Sequence, residues 1–407
     1  MRDWHQRIPR KRLYVFILAA LTGLSVWTAH LYAATASVNL STTHQTIRGF
    51  GGASVWMGLM TNAEMDLLFG SGAGTVGLSI LRIRIAPDGN WADELENARK
   101  ARARGGIVMA TPWTPPASMK TNNNVVGGSL KTSEYANYAN YLSNFANFMS
   151  SNGGDLYGIS IQNEPDISVT YESCDWTATQ LYNFARNNAG VIPTRVIMSE
   201  SFNYNKAYTD PILNDPVARA NVDIIGGHIY GSGLSDYPLA RNNGKEVWMT
   251  EHLNTDTSIT GVIQTAKEMT DCMAVGNYNA YIWWYLRRFY GPMDDNGVRT
   301  KRGCVMAQFA RWVRPGFVRV GATYNPNPGV YVSAYKSGAK VVIVAVNNGG
   351  GSVNQTFSIS GGAAPATLNR FRTSGSENLA TLTAISVSNG SFTTSLPAQS
   401  ITTFVSP

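Results

Sequence analysis

The sequence predicts an α/β fold, a (β/α)8 TIM barrel carrying an associated antiparallel β side domain. Two observations lead there. From about residue 46 to about residue 288, eight short apolar runs recur with helix-length stretches between them. After about residue 315 the helix-length stretches stop and β-rich segments separated by Gly, Asn and Ser take over. Apolar runs alternating with amphipathic ones read as parallel strands buried on both faces. The resulting division is a signal peptide over 1–36, an N-terminal strand of the side domain over 37–46, the (β/α)8 barrel over 47–314 and the β side domain over 315–407.

The elements follow in chain order. Arg2, Arg7, Arg10, Lys11 and Arg12 precede the apolar run LYVFILAALTGLSVW and the small residues Ala34-Thr35-Ala36. A basic start, an apolar middle and a small-x-small end describe a secretory leader, with an uncleaved anchor as the alternative. A secreted protein, extracellular or periplasmic and free of the membrane after cleavage, is the expectation. The whole chain has 33 Lys and Arg against 26 Asp and Glu, a net charge of +7. Residues 1–36 hold five of the basic residues and one acidic one, which leaves 28 against 25, or +3. No basic run remains that argues for a nucleic-acid partner.

Next comes ASVNLSTTHQ from residue 36, which alternates like the C-terminal segments and so is expected to pair with them. The eight barrel strands are placed in TIRGFGGA, SILRIRI, GIVMATPW, LYGISIQNEP, TRVIMSE, VDIIGGHIY, EVWMTEH and AYIWWYLRR. Between the third and fourth, Tyr138, Tyr141, Phe145 and Phe148 recur at three- and four-residue spacing and predict a helix, stopped by Gly153 and Gly154. Cys174, Cys272 and Cys304 lie far apart with no CxxC pair, so one disulfide plus a free thiol and three free thiols both remain open.

In such a barrel the site lies at the C-terminal strand ends. Polar and aromatic residues stand there: Trp113 on the third strand, Asn163 and Glu164 on the fourth, Glu200 on the fifth, Tyr230 on the sixth, Glu251 on the seventh and Arg288 on the eighth. Glu164 and Glu251 come from opposed strands and are expected to face one another. Two carboxylates flanked by aromatics are the minimum machinery for glycoside hydrolysis, one donating a proton and the other attacking carbon or activating water. The chain's 10 Trp and 19 Tyr suit flat sugar faces, core packing being the alternative for each one singly. Strand parity sets Trp284 and Arg288 on one face of the eighth strand and leaves Arg287 on the other as an exposed, solubilising residue. Arg82 and Arg84 share a face of the second strand, and a buried arginine needs a carboxylate. Arg82 is therefore expected either to steady Glu251 or to form a purely structural ion pair. Glu200 is a supporting residue or a substrate contact, and His228 a supporting barrel histidine. His44, His228 and His252 show no metal-binding spacing and no Gly-rich phosphate loop follows a strand, so neither metal nor cofactor is expected.

The ordered set IRGFGG (47–52), ILRIRI (80–85), TPWTPP (111–116), ISIQNEPD (159–166), DPILNDP (210–216), WMTEH (248–252), WWYLRRFYGPM (283–293) and ITTFVS (401–406) resembles glycoside hydrolase family 30 in its bacterial glucuronoxylanase subfamily. The resemblance runs over nearly the whole chain beyond the leader. It implies a secreted, monomeric endo-xylanase that cuts β-1,4-xylan with retention, Glu164 as acid/base and Glu251 as nucleophile. It further implies that Asn163 bonds the 2-hydroxyl beside the reacting carbon, that Trp113, Tyr230 and Trp284 wall the subsites, and that Arg288 with Tyr290 grips a 4-O-methylglucuronic acid branch. One departure stands out: Leu253 occupies the place, two residues after the nucleophile, where the family usually carries a tyrosine that helps hold the glucuronate. An enzyme of the same family without glucuronate dependence is the alternative this allows, and a non-catalytic carbohydrate-binding protein is a second.

Overall fold

The computed structural model describes residues 34–407. Most of the leader expected over 1–36 lies outside the described residues. The first strand, β1 (Ala36–Thr46), begins on the last residue assigned to that leader, and Ala36 is fully buried.

Eight parallel strands close into a barrel in chain order: β2 (Gly49–Ala53), β3 (Ile80–Ile85), β4 (Ile107–Pro112), β5 (Gly158–Ser160), β6 (Arg195–Ser201), β7 (Ile224–His228), β8 (Glu246–Glu251) and β9 (Ala280–Tyr285). The apolar runs become strands because each is covered on both faces. Toward the outside, Leu81, Ile83, Val108, Ala110 and Val247 join the large core beneath the helices. Toward the axis, Ile80, Met109, Ile197, Ile224, Trp248, Ala280 and Ile282 form a separate apolar layer. The helix Tyr135–Ser151 buries Tyr138, Leu142, Phe145 and Met149 along one stripe, and Gly153 follows it in the left-handed region at φ 76°.

Two to four residues further along the same strands the axial layer changes character. Arg82 follows Ile80, Thr111 follows Met109, and His228 stands two residues past Gly226. Gly226 is required there, since a Cβ would come within 2.9 Å of Ile197 and 3.4 Å of Glu200. Three pairings slip in register near their C-terminal ends: β6 with β7 between Ser199 and Ser201, β7 with β8 between Gly227 and His228, and β2 with β9 between Gly52 and Ala53. Such irregularities re-aim side chains.

The C-terminal strands are β10 (Val318–Ala322), β11 (Val330–Ser337), β12 (Lys340–Asn347), β13 (Val353–Ser360), β14 (Thr367–Thr373), β15 (Ala380–Ser386), β16 (Ser391–Leu396) and β17 (Ser400–Val405). With β1 they make one nine-stranded sheet in the order β15-β14-β17-β12-β11-β10-β1-β13-β16. All its pairings are antiparallel except β1 with β13, which is parallel. The sheet folds over its own core, because Phe357 on β13 and Phe392 on β16 pack 5.4 and 5.2 Å from Phe404 on β17. All three cysteines are free and buried, which settles that alternative.

Candidate active site

At the C-terminal end of the barrel a cleft of about 430 Å³ opens, lined by Trp56, Trp113, Glu164, Tyr171, Phe202, Tyr230, Glu251, Leu253, Trp284 and Tyr285. Its floor is ionic. Arg82 is wholly buried; its Nη1 donates to Glu251 Oε2 at 2.5 Å, its Nη2 to Asn163 Oδ1 at 2.7 Å and to Glu200 Oε1 at 3.1 Å, and its Nε to Thr111 Oγ1 at 3.3 Å. The Thr111 hydroxyl in turn donates a hydrogen bond to Glu200 Oε2 at 2.9 Å. The guanidinium carbon also lies 4.7 Å from the Trp113 ring. A charge that costs several kcal/mol to bury alone is thus met by two carboxylates, an amide and an aromatic face.

Glu164 and Glu251 stand at the lip of this floor, 5% and 6% exposed. Tyr230 donates its hydroxyl to Glu251 Oε1 at 2.7 Å, and its ring stacks 5.0 Å from Phe202. His228 Nδ1 is 2.9 Å from Glu164 Oε1, and the Tyr171 hydroxyl donates to Glu164 Oε2 at 3.3 Å. His228 Nε2 lies 3.7 Å from Glu200 Oε1 and 4.0 Å from Glu251 Oε2, so it reaches those two by charge and not by hydrogen bond. One oxygen of Glu164, one ring nitrogen of His228 and one oxygen of Glu251 all fall within 4.8 Å of one another. That trio has metal-ligand chemistry, but Arg82 and Tyr230 already donate to both oxygens of Glu251, and a dication there would face the buried Arg82 charge.

Burial alone would push the His228 imidazolium down, yet the charge of Glu251 and the bond to Glu164 outweigh it and hold its pKa at about 9. Burial would likewise push Glu200 up, but the Arg82 charge and then His228 bring it down to about 2. His228 is therefore a cation and Glu200 an anion at neutral pH.

The backbone is unusual where it presents these groups. Glu164 (φ 45°) and Glu200 (φ 51°) occupy the left-handed region that β-strand residues avoid, and the Glu164 N–H donates to the Glu200 carbonyl at 3.0 Å. Trp56, at φ 54°, is held the same way above Trp113, Trp284 and Tyr171. Conformations of this kind cost about 1 to 3 kcal/mol each and gather at functional sites.

The positions named from the sequence fall into three groups. Glu164, Glu251, Trp113, Tyr230 and Trp284 line the cleft, with Asn163, Arg82, Glu200 and His228 directly beneath or beside them. Arg288 lies at the rim, its guanidinium 4.9 Å over the Tyr285 ring and 3.9 Å from Asp295. Tyr290 packs against the apolar cluster of Ala53, Val55, Trp113 and Trp284. Arg287 is a correction: it is not a free solubilising residue but is paired with Glu64 and donates to the Met57 carbonyl at 2.9 Å. Four cleft residues escape the sequence reading. Trp56, Tyr171 and Phe202 lie on loops past the strand ends, and Tyr285 is turned inward by the slip between β2 and β9 against alternation. Trp56 and Phe202 carried a signal, aromatics placed three residues and one residue past the ends of β2 and β6.

A closed β/α barrel whose strand ends bring two carboxylates together in an aromatic-walled cleft is the build of a glycoside hydrolase. Residues 63–308 match the family model described as glycosyl hydrolase family 59. Glucuronoxylanase XynC of Bacillus subtilis strain 168 is 44% identical over 98% of this chain and 99% of its own length. The crystal structure of a glycoside hydrolase family 30 subfamily 8 xylanase, Xyn30A of Clostridium acetobutylicum, is 47% identical with a TM-score of 0.88, covering 91% of this chain and 99% of that one. A family 30 endoxylanase from Clostridium papyrosolvens C71 is 43% identical with a TM-score of 0.86 over 92% and 100%. The two family labels differ, and the relatives that run the length of both chains decide between them: the chain belongs to glycoside hydrolase family 30.

Proposed function

We propose that this protein is an exported endo-β-1,4-xylanase that cleaves glucuronoxylan by double displacement with retention. The observation that carries the reading is the approach of Glu164 and Glu251 oxygens to within 4.8 Å. Retaining enzymes hold their carboxyl groups about 5 to 5.5 Å apart, whereas inverting ones leave about 6.5 to 9.5 Å for a water. The printed names of the relatives, a glucuronoxylanase and two xylanases, supply the substrate class. Among the described residues no helix is long and apolar enough to cross a membrane.

In the first step Glu251 attacks the anomeric carbon while Glu164 gives its proton to the departing xylose oxygen. The glycosidic bond breaks and a glycosyl ester to Glu251 forms. In the second, Glu164, now a carboxylate, takes a proton from water; the water oxygen bonds to the same carbon from the opposite face and Glu251 leaves with its electron pair. Arg82 and Tyr230 aim the Glu251 carboxylate, and His228 stabilises the anion that Glu164 becomes. Arg82 takes the Asn163 amide oxygen, which turns the amide N–H₂ toward the 2-hydroxyl. Trp113, Trp284 and Tyr230 wall the sugar. Arg288, with Tyr290 beside it, stands at the rim as the partner for a glucuronate carboxylate.

Leu253, an apolar wall of the cleft, supports a second reading in which the branch is not required. One experiment separates the two: incubation with glucuronoxylan and with unbranched xylan, products being sized by mass spectrometry. Cleavage of glucuronoxylan alone, with one glucuronate at a fixed distance from each reducing end, is the expected result. Equal cleavage of both establishes branch independence, and cleavage of neither removes the substrate assignment. Glu164→Gln should lower turnover by about a hundredfold or more while leaving the fold intact.

A further inference from the structure

A second cavity, of about 500 Å³, opens at the opposite end of the barrel. His44 on β1, Arg48 just ahead of β2, Arg241 and Lys245 ahead of β8 and Asn277 ahead of β9 stand around it. These residues are scattered through the sequence, which is why no basic run announces them.

Two of the cations are neutralised. Arg48 bonds Glu246 at 2.7 Å, and Arg241 bonds both oxygens of Asp236 at 2.9 and 2.6 Å. One lining cation is not: among the described residues no carboxylate lies within ion-pairing distance of Lys245, whose ammonium is pushed down by burial and feels, of the carboxylates, only the more distant charge of Asp223. Behind the lining Arg319, 6% exposed, donates to neutral amide oxygens of two lining residues, Gln45 Oε1 at 2.9 Å and Asn277 Oδ1 at 2.5 Å, with the charge of Asp236 further off. The pKa of the neighbouring His44 is lowered first by burial and then by the charges of Arg319 and Arg241. Uncompensated positive charge in a concave site attracts an anion. Apart from Gly244 and the paired Glu246 the remaining lining is amide and hydroxyl; the Gln45 and Asn279 amides are bonded within the protein, which leaves the Thr43 and Thr46 hydroxyls to face a sugar, and the volume falls in the range that holds a small organic ligand.

We propose that this basal cavity binds a carboxylate-bearing saccharide unit, a uronic acid borne on the polysaccharide cut at the other end of the barrel. Bound there, the unit tethers the polymer on the face away from the cleft and raises its local concentration at the enzyme. The identity of the polymer rests on the proposed function; the cavity's preference for an acidic sugar does not.

The test uses Glu164→Gln protein, so that saccharides stay whole, and follows the His44 ring signals by NMR. Added separately are a xylo-oligosaccharide bearing one glucuronate, its neutral counterpart and inorganic phosphate. The acidic oligosaccharide should move the His44 signals in a saturable way and the neutral one should leave them unmoved. Lys245→Glu should weaken the response about tenfold or more, while Lys245→Arg, which keeps the charge, stays within about threefold. Unmoved His44 signals, an equal response to the neutral sugar, an equal affinity for phosphate, or indifference to Lys245→Glu would each overturn the proposal. Hydrolysis of a short soluble xylo-oligosaccharide by the otherwise unaltered enzyme carrying Lys245→Glu is measured beside it and should match the parent rate. If the parent cuts no xylan at all, it is the functional reading that fails, and the His44 titration still reports on the cavity.

Discussion

Two layers of side chains fill the barrel two to four residues apart on the same strands, and their chemistry is opposite. The lower holds Ile80, Met109, Ile197, Ile224, Trp248 and Ile282, and the upper holds Arg82, Thr111, Glu200 and His228; both are almost completely buried. Release of water drives the burial of the first at about 25 cal/mol per Å² of apolar surface. Burial of the second costs several kcal/mol per ion and is tolerated only because each charge meets another. The positive-φ residues Trp56, Glu164 and Glu200 and the slipped registers all lie at or above the upper layer. The lower layer holds the strands together, and the strands in turn hold the upper layer in a conformation it would not adopt alone.

The largest expected effect sets one layer against the other. Arg82→Met leaves Glu200 and Glu251 buried without their cation, so it should cost about 3 to 5 kcal/mol of stability and lower turnover by about a hundredfold or more through a misplaced Glu251. Ile80→Ala, two residues away, opens a cavity and should cost about 2 to 5 kcal/mol, with turnover per folded molecule within about twofold of the parent. Chemical denaturation paired with active-site titration measures both. Equal activity losses in the two variants would erase the distinction between the layers.

pH sharpens the contrast. His228 has its folded pKa raised to about 9 from 6.5, so the stability it contributes is fully present below 6.5 and is lost as pH rises through about 9. Glu200, lowered to about 2 from 4.5, contributes stability that is present above 4.5 and is lost as pH falls through about 2. Thermal melts from pH 6.5 to 9 should show the parent losing stability relative to His228→Gln, on the order of 2 to 3 kcal/mol. Ile80→Ala should run parallel to the parent throughout, because nothing in its layer titrates.

The same division governs how much could be read from the sequence. The lower layer and the eight strands were legible because apolar runs state their burial directly, and the strand ends then placed Glu164, Glu251, Trp113 and Trp284 at one mouth. Contact between Arg82 and Glu251 was anticipated as one of two outcomes; the structure shows it together with the bonds to Asn163 and Glu200. What stayed hidden depends on exceptions to alternation. Tyr285 enters the cleft through a register slip, Tyr171 through a loop, and Arg287 finds Glu64 across 223 positions of chain. His228 read as an ordinary barrel histidine because nothing local in VDIIGGHIY reveals three carboxylates around it.

Tyr230 offers the smallest and most discriminating effect. From the sequence it is a wall against which a sugar packs; in the structure its hydroxyl also donates to Glu251 Oε1 at 2.7 Å. Tyr230→Phe keeps the ring and its stacking on Phe202, removing only the hydrogen bond. A bond to an ionised acceptor contributes about 1.5 to 3 kcal/mol, so kcat should fall about tenfold to a hundredfold while KM is nearly unchanged. Stability should move by about 1 kcal/mol or less, since Glu251 keeps Arg82 and reaches the water of the cleft. A raised KM with unchanged kcat would mean that the hydroxyl acts on the ground-state sugar alone and that Arg82 by itself aims the carboxylate.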